Sequence, residues 1–185
     1  MPSVFRSENL KVGLGPFNRH PFGLHTVLPS LCTVSGAENL IFDIRELPPQ
    51  QYSFPYHYHR NAEEVMIVIS GSMAVRTGQE FLIVKKEDVL FFERGETGAH
   101  QFYNHTDQPC RYFDVKTIYG LDVVVYPDSG KLMINKFNEV YRMNEQVDYF
   151  LGEENIEDKW KGFFDRQECL LADHANSLRN QTNKV

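Results

Sequence analysis

The stretch EVMIVISGSMAVRTGQEFLIVKKEDVLFF, residues 64–92, decides the fold class. Residues 64–70 read as a strand closed by Gly71, and 72–77 as a second closed by Gly78. Residues 80–84 give a third strand before the charged turn 85–88, and 89–92 a fourth. Short apolar runs punctuated by glycine and charge belong to β-sandwiches and barrels. Outward from this stretch, 39–45 reads as a strand stopped by Pro48 and Pro49, and 99–104, 111–119 and 121–126 continue the series. Val65, Ile67 and Ile69 are apolar, and so are Met66 and Val68. Successive strand residues point to opposite faces, so both faces of this strand are expected to be covered. One face lines a barrel interior. The other needs the N-terminal arm, the C-terminal segment or a second subunit, which predicts a homodimer.

The flanks differ from this centre. Pro16, Pro21 and Pro29, with Gly13, Gly15 and Gly23, make 1–38 read as an extended arm with turns. Leu170, Leu171, Ala175 and Leu178 have helical spacing within 166–181, and 137–149 reads as helix or irregular chain. The expected plan is one structural domain: an arm over 1–38, a barrel over 39–135 and a helical or irregular extension over 136–185. The 185 residues suit that plan at ~100–200 residues per domain.

Composition narrows the function classes. An apolar fraction of 42% is too high for a disordered chain. Acids outnumber bases 25 to 19, and the net charge of −6 argues against non-specific nucleic-acid binding. There is no helix-turn-helix pattern and no apolar run near the ~18 residues of a membrane span. Residues 1–10 lack the apolar core of a secretory signal. Cys32, Cys110 and Cys169 are odd in number and irregularly spaced, which reads as reduced thiols and a cytoplasmic protein.

The chemistry sits in His57-Tyr58-His59, with Glu64 soon after and Gly71 beyond it. On an extended strand, His57 and His59 project to one side, so both imidazoles can reach one ion. Glu64, across a short turn, adds a carboxylate, and Glu63 is its rival. Imidazole with carboxylate suits a divalent transition metal: Mn, Fe, Ni, Co or Zn. A fourth ligand must come from another strand, and His100 is the best candidate, with Phe102 and Asn104 on its own side. His20, His25, His105 and His174 read as surface or locally bonded.

HYHRNAEEVMIVISG resembles the first motif of the cupin superfamily, matched by His57, His59, Glu64 and Gly71. The distance to Gly71 favours Glu64 over Glu63. ERGETGAHQFYN resembles the second motif, matched by Gly95, His100 and Asn104, with Glu93 where the motif has proline. The segment DVVVYPDSGK, 122–131, resembles the tail of a subgroup of single-domain cupins with a YPDSxK signature, often labelled sugar-phosphate isomerase-like by analogy. The resemblance implies an all-β, double-stranded β-helix barrel, jelly-roll-like, with a three-histidine, one-glutamate metal site inside. On the residues alone, the YPDSGK stretch reads as a turn.

Four protein ligands leave positions open for a small molecule or dioxygen. Met66, Val68, Phe102, Asn104 and Tyr52 are the expected pocket lining. Arg60, Arg76, Arg111 and Lys116 are available cations, read as surface groups. Three function classes follow. One is a metal-dependent enzyme on a small molecule, of isomerase, lyase or dioxygenase type. The second is a binding or sensing module, with no acid or base beside the ligands. The third is a structural protein whose barrel holds no metal, with its histidines not converging.

Overall fold

Residues 3–162, except 17, 79, 119 and 157, are described in the computed structural model. Among them the strands are β1 (Val12–Leu14), β2 (His25–Val27), β3 (Leu40–Leu47), β4 (Tyr58–His59), β5 (Glu64–Ser70), β6 (Ser72–Thr77), β7 (Glu80–Lys85), β8 (Val89–Phe92), β9 (His100–Tyr103), β10 (Cys110–Thr117), β11 (Val123–Tyr126), β12 (Lys131–Ile134) and β13 (Glu139–Arg142). A short helix, α1 (Leu31–Ser35), ends on the left-handed Gly36. The chain divides into two compact units, Met1–Glu145 and Gln146–Val185. Every strand belongs to the first. The helix expected over 166–181 lies outside the described residues.

Antiparallel pairing builds three sheets, ordered β1-β2-β3-β10-β5-β8, β13-β12-β11-β4 and β7-β6-β9. The strands expected over 64–92 form at their expected places. The arm is more ordered than the sequence suggests. Its β2 adds to β3 with His25 opposite Glu46 and Thr26 opposite Arg45, so the sheet edge gains a partner. The segment 137–149, expected as helix or irregular chain, instead supplies β13, which pairs along all of β12. The DVVVYPDSGK stretch is β11, a turn at Pro127–Ser129 and the start of β12.

Inside, Leu47, Met66, Val68, Met73, Val75, Phe102, Cys110 and Tyr112 form one buried cluster. Burial takes the Cys110 thiol up to about 11, so it behaves as a small apolar filler. The inner face of β5 is buried as expected, but its outer face is not. Ile67 and Ile69 remain 38% and 39% exposed, beside Val89 at 64% and Phe91 at 60% on β8. On the same sheet, Phe5 from the arm packs edge-on against Phe42, at a centroid distance of 6.4 Å. That cover does not leave β5 and β8 buried. Gly71 turns the corner from β5 to β6 with φ +81°, and a Cβ there would stand 2.8 Å from the Pro109 carbonyl oxygen. Only glycine combines that backbone with so close an approach.

Candidate metal centre

The site forms where three segments meet. His57 bridges His100 through paired backbone hydrogen bonds of 3.1 and 2.9 Å. His59 ends β4, His100 opens β9 and Glu64 opens β5. His57, His59 and His100 are 7%, 6% and 2% exposed. Ligand atoms of His57, His59 and Glu64 all lie within 4.8 Å of one another. His100 Nε2 stands 3.5 Å from Glu64 Oε2, and His59 Nε2 stands 3.7 Å from the same oxygen. Glu63 points elsewhere, toward Arg94.

Each imidazole commits its other nitrogen to an acceptor. His57 Nδ1 bonds the Pro55 carbonyl at 2.9 Å, and His100 Nδ1 bonds the Gly98 carbonyl at 2.9 Å. His59 Nδ1 bonds Asp122 Oδ2 at 2.6 Å. A carbonyl or ionised carboxylate only accepts, so each Nδ1 donates, and in a neutral ring that leaves Nε2 with its lone pair. Glu64 Oε2 is buried with no hydrogen-bond partner. A buried carboxylate oxygen without a donor is costly unless a cation completes it. These residues therefore fit a divalent ion: a ring of bare nitrogens around an orphaned anionic oxygen.

The electrostatics agree. Burial, then the neighbouring imidazoles of His100 and His59, hold His57 well below the usual histidine range. Burial also lowers His100, against the pull of Glu64. Neutral imidazole is the form a metal binds. Burial opposes ionisation of Asp122, but the His59 hydrogen bond, with His59 and Lys116 nearby, outweighs it and holds the carboxyl below its ordinary value. Phe92 stacks on the His100 ring at 3.8 Å between centroids. Gly98, just before His100, has no room for a side chain, because a Cβ would run into the Glu93 carbonyl oxygen. The loop is thereby shaped to turn the Gly98 carbonyl onto His100.

A cavity of about 620 Å³ opens over these residues. Small-molecule sites fall in the range of roughly 300–1,000 Å³. Of the expected lining residues, Phe102 lines it. Met66 and Val68 are sealed in the core, at 0% and 1% exposure. Asn104 is buried as a structural pin, donating to the carbonyls of Leu47 and Gln108. Tyr52 stacks on Tyr103 on a different surface. Of the four cations, Lys116 lines the cavity, with Nζ 3.8 Å from Asp122. Arg76 lies over the Tyr56 ring at 4.0 Å and grips Asp128 through two hydrogen bonds of 2.7 and 3.0 Å. Arg111 faces Glu46, and Arg60 is exposed.

The cavity also holds residues that no sequence motif marks. Arg45 Nε bonds Asp114 Oδ2 at 3.0 Å, and Arg45 Nη1 donates to Thr26, whose hydroxyl bonds Asp43. Asp114 Oδ1 is buried without a partner. Burial, with Glu64 adding, pushes Asp114 up to about 6 against the pull of Arg45. Tyr112, Tyr126 and Lys131 complete this part of the wall. The one legible signal for Asp114 was its place on an alternating strand with Tyr112 and Lys116.

Residues 43–116 match the profile of the cupin domain. No curated protein matches the chain. Among solved structures, it is similar to a sugar phosphate isomerase from a cupin superfamily, of Silicibacter pomeroyi. The identity is 18%, the TM-score 0.67, and 80% of this chain and 98% of that chain are covered. It is also similar to a predicted oxalate decarboxylase from Thermotoga maritima, at 18% identity and TM-score 0.53, over 63% of this chain and 100% of that one. A third is the polyketide cyclase RemF from Streptomyces resistomycificus, at 22% identity and TM-score 0.52, over 63% of this chain and 80% of that one. At such identities the likeness is one of fold: a double-stranded β-helix barrel. Residues 43–116 of this chain thus carry a cupin domain.

Proposed function

We propose that the chain is a cytoplasmic, metal-dependent enzyme acting on a small molecule in the cavity. His57, His59, Glu64 and His100 hold a divalent first-row metal. The observation that carries this reading is the pairing of three committed Nδ1 atoms with the orphaned Glu64 Oε2. Such an ion supplies Lewis-acid polarisation of a bound oxygen group. Isomerase, lyase and dioxygenase chemistries all suit that centre. Asp114 favours an enzyme over a binding module: it is a carboxyl beside the ligands, in the same cavity, raised toward neutrality. A group balanced in this way can take up or give back a proton near pH 7. Arg45 orients it.

The experiment is elemental analysis of protein purified without added metal, beside a His57→Ala/His59→Ala control. About one ion per wild-type chain and a loss in the control support the reading. Below about a tenth of an ion per chain, the reading fails. Oxygen uptake and sugar-isomer formation, followed side by side on the loaded protein, separate the reaction classes.

A further inference from the structure

We infer that the ligand of this cavity is a small organic anion, whose carboxylate or phosphate is read by a cation pair, Lys131 and Arg142. The inference rests on the cavity being the ligand site. Lys131 on β12 stands directly opposite Arg142 on β13, and Met133 stands opposite Val140. Opposed residues of an antiparallel pair share a face, as do residues two apart. Lys131, Met133 and Val140 line the cavity, while Lys131, Val140 and Arg142 line the cleft beside it, so Arg142 stands at the rim that the two share. Two cations directly opposed repel and weaken the pair. Among the described residues neither forms an ion pair with a carboxylate, although Glu96 lines the same cleft. Glu139, the acid of β13, falls on the other face and accepts the Tyr141 hydroxyl at 2.6 Å.

The other charges sharpen this point. Arg19, Arg45, Lys116 and Lys131 line the cavity against two carboxylates, Glu64 and Asp114. Arg45 is matched by Asp114, and Lys116 by Asp122. Lys131 and Arg19 are unmatched among the described residues, in a chain whose net charge is −6. A local reversal of sign in a cleft draws anions in and holds them. Tyr126 links the two ends of the site. Its ring lies 6.0 Å from that of His57, and Lys131 Nζ lies 5.1 Å from the Tyr126 centroid. A ligand bridging the imidazoles and Lys131 is therefore of metabolite size.

The test is calorimetric titration of the full-length, zinc-loaded chain with fructose 6-phosphate against fructose, and succinate against succinamide. At least one anion should bind about tenfold or more tighter than its neutral counterpart. The Lys131→Gln/Arg142→Gln variant should lose about tenfold or more of that affinity at unchanged zinc content and unchanged melting temperature. A response to fructose 6-phosphate alone identifies a phosphate, and one to succinate alone a carboxylate. Neutral compounds that bind equally well, a double variant that binds as wild type does, or no anion binding below about 10 mM each overturn the inference. A wild type that takes up no zinc but shows the charge-dependent binding refutes the metal centre and leaves the anion site standing.

Discussion

His59 Nδ1 lies 2.6 Å from Asp122 Oδ2, a contact between residues 63 positions apart in the chain. Asp122 also accepts from the Asn61 backbone N–H at 3.3 Å and faces Lys116. It is the one carboxylate that partners a histidine Nδ1 at this centre. A charged acceptor makes the imidazole a more basic ligand than a backbone carbonyl does. Asp122→Asn should therefore weaken metal affinity by about 10–100-fold. Competition with a chelator of known affinity measures it, and a variant with wild-type affinity removes Asp122 from this role.

Asp114 gives a pH prediction with a definite sign. Its carboxyl rises from 3.8 to about 6 on folding, with burial as the first cause. The folded chain thus binds this proton more tightly than the unfolded one. Its contribution to stability is full below the unfolded value and lost as pH climbs through the folded one. Against metal-free Asp114→Asn protein, the wild type should lose stability between pH 4 and 6, by at most about 3 kcal/mol. Chemical denaturation of both proteins across that window checks it, and a constant difference contradicts it.

Gly71→Ala should destabilise the chain by about 1–3 kcal/mol, because the backbone is left-handed there and the added methyl meets the Pro109 carbonyl. Thermal melting measures this. Gly36 offers a contrast: its backbone is left-handed too, with φ +67°, but nothing stands within 4 Å of a Cβ. Gly36→Ala should cost less, and an equal loss at both positions would contradict the steric account.

The outer face of β5 and β8, with Ile67, Ile69, Val89 and Phe91, predicts self-association. A two-fold arrangement places one patch against its own copy and so needs only this face. Sedimentation at micromolar concentration should show a dimer that Ile67→Glu/Phe91→Glu converts to a monomer. A single 21.5 kDa species for the wild type counts against it.

The strands over 64–92 were legible because glycine and charged turns bound short apolar runs, and local chemistry alone sets those breaks. The candidate ligand set was legible as a group of neighbours because its members sit in short local patterns. Asp122, Asp114 with Arg45, and the Lys131–Arg142 pair were not, since each depends on the register of strands far apart in sequence. Met66 and Val68 show a subtler failure. Alternation gives them the same side as Glu64, correctly, but that side is open at the Glu64 end and packed below it. Alternation supplies a direction, not a depth. The β13 strand was illegible for a related reason: Glu139–Arg142 is exposed throughout, so no apolar periodicity marks it, and only pairing with β12 makes it a strand.

The hydrogen-bonded bridge between His57 and His100 ties the centre to the order in which the chain assembles. Neither histidine is in place until segments 43 residues apart have closed on each other, so a partly folded chain offers no complete set of ligands. An ion that binds only the closed barrel shifts the folding equilibrium by mass action toward closure. Metal supply during synthesis would then govern how much chain reaches the native state, as well as what that state can do.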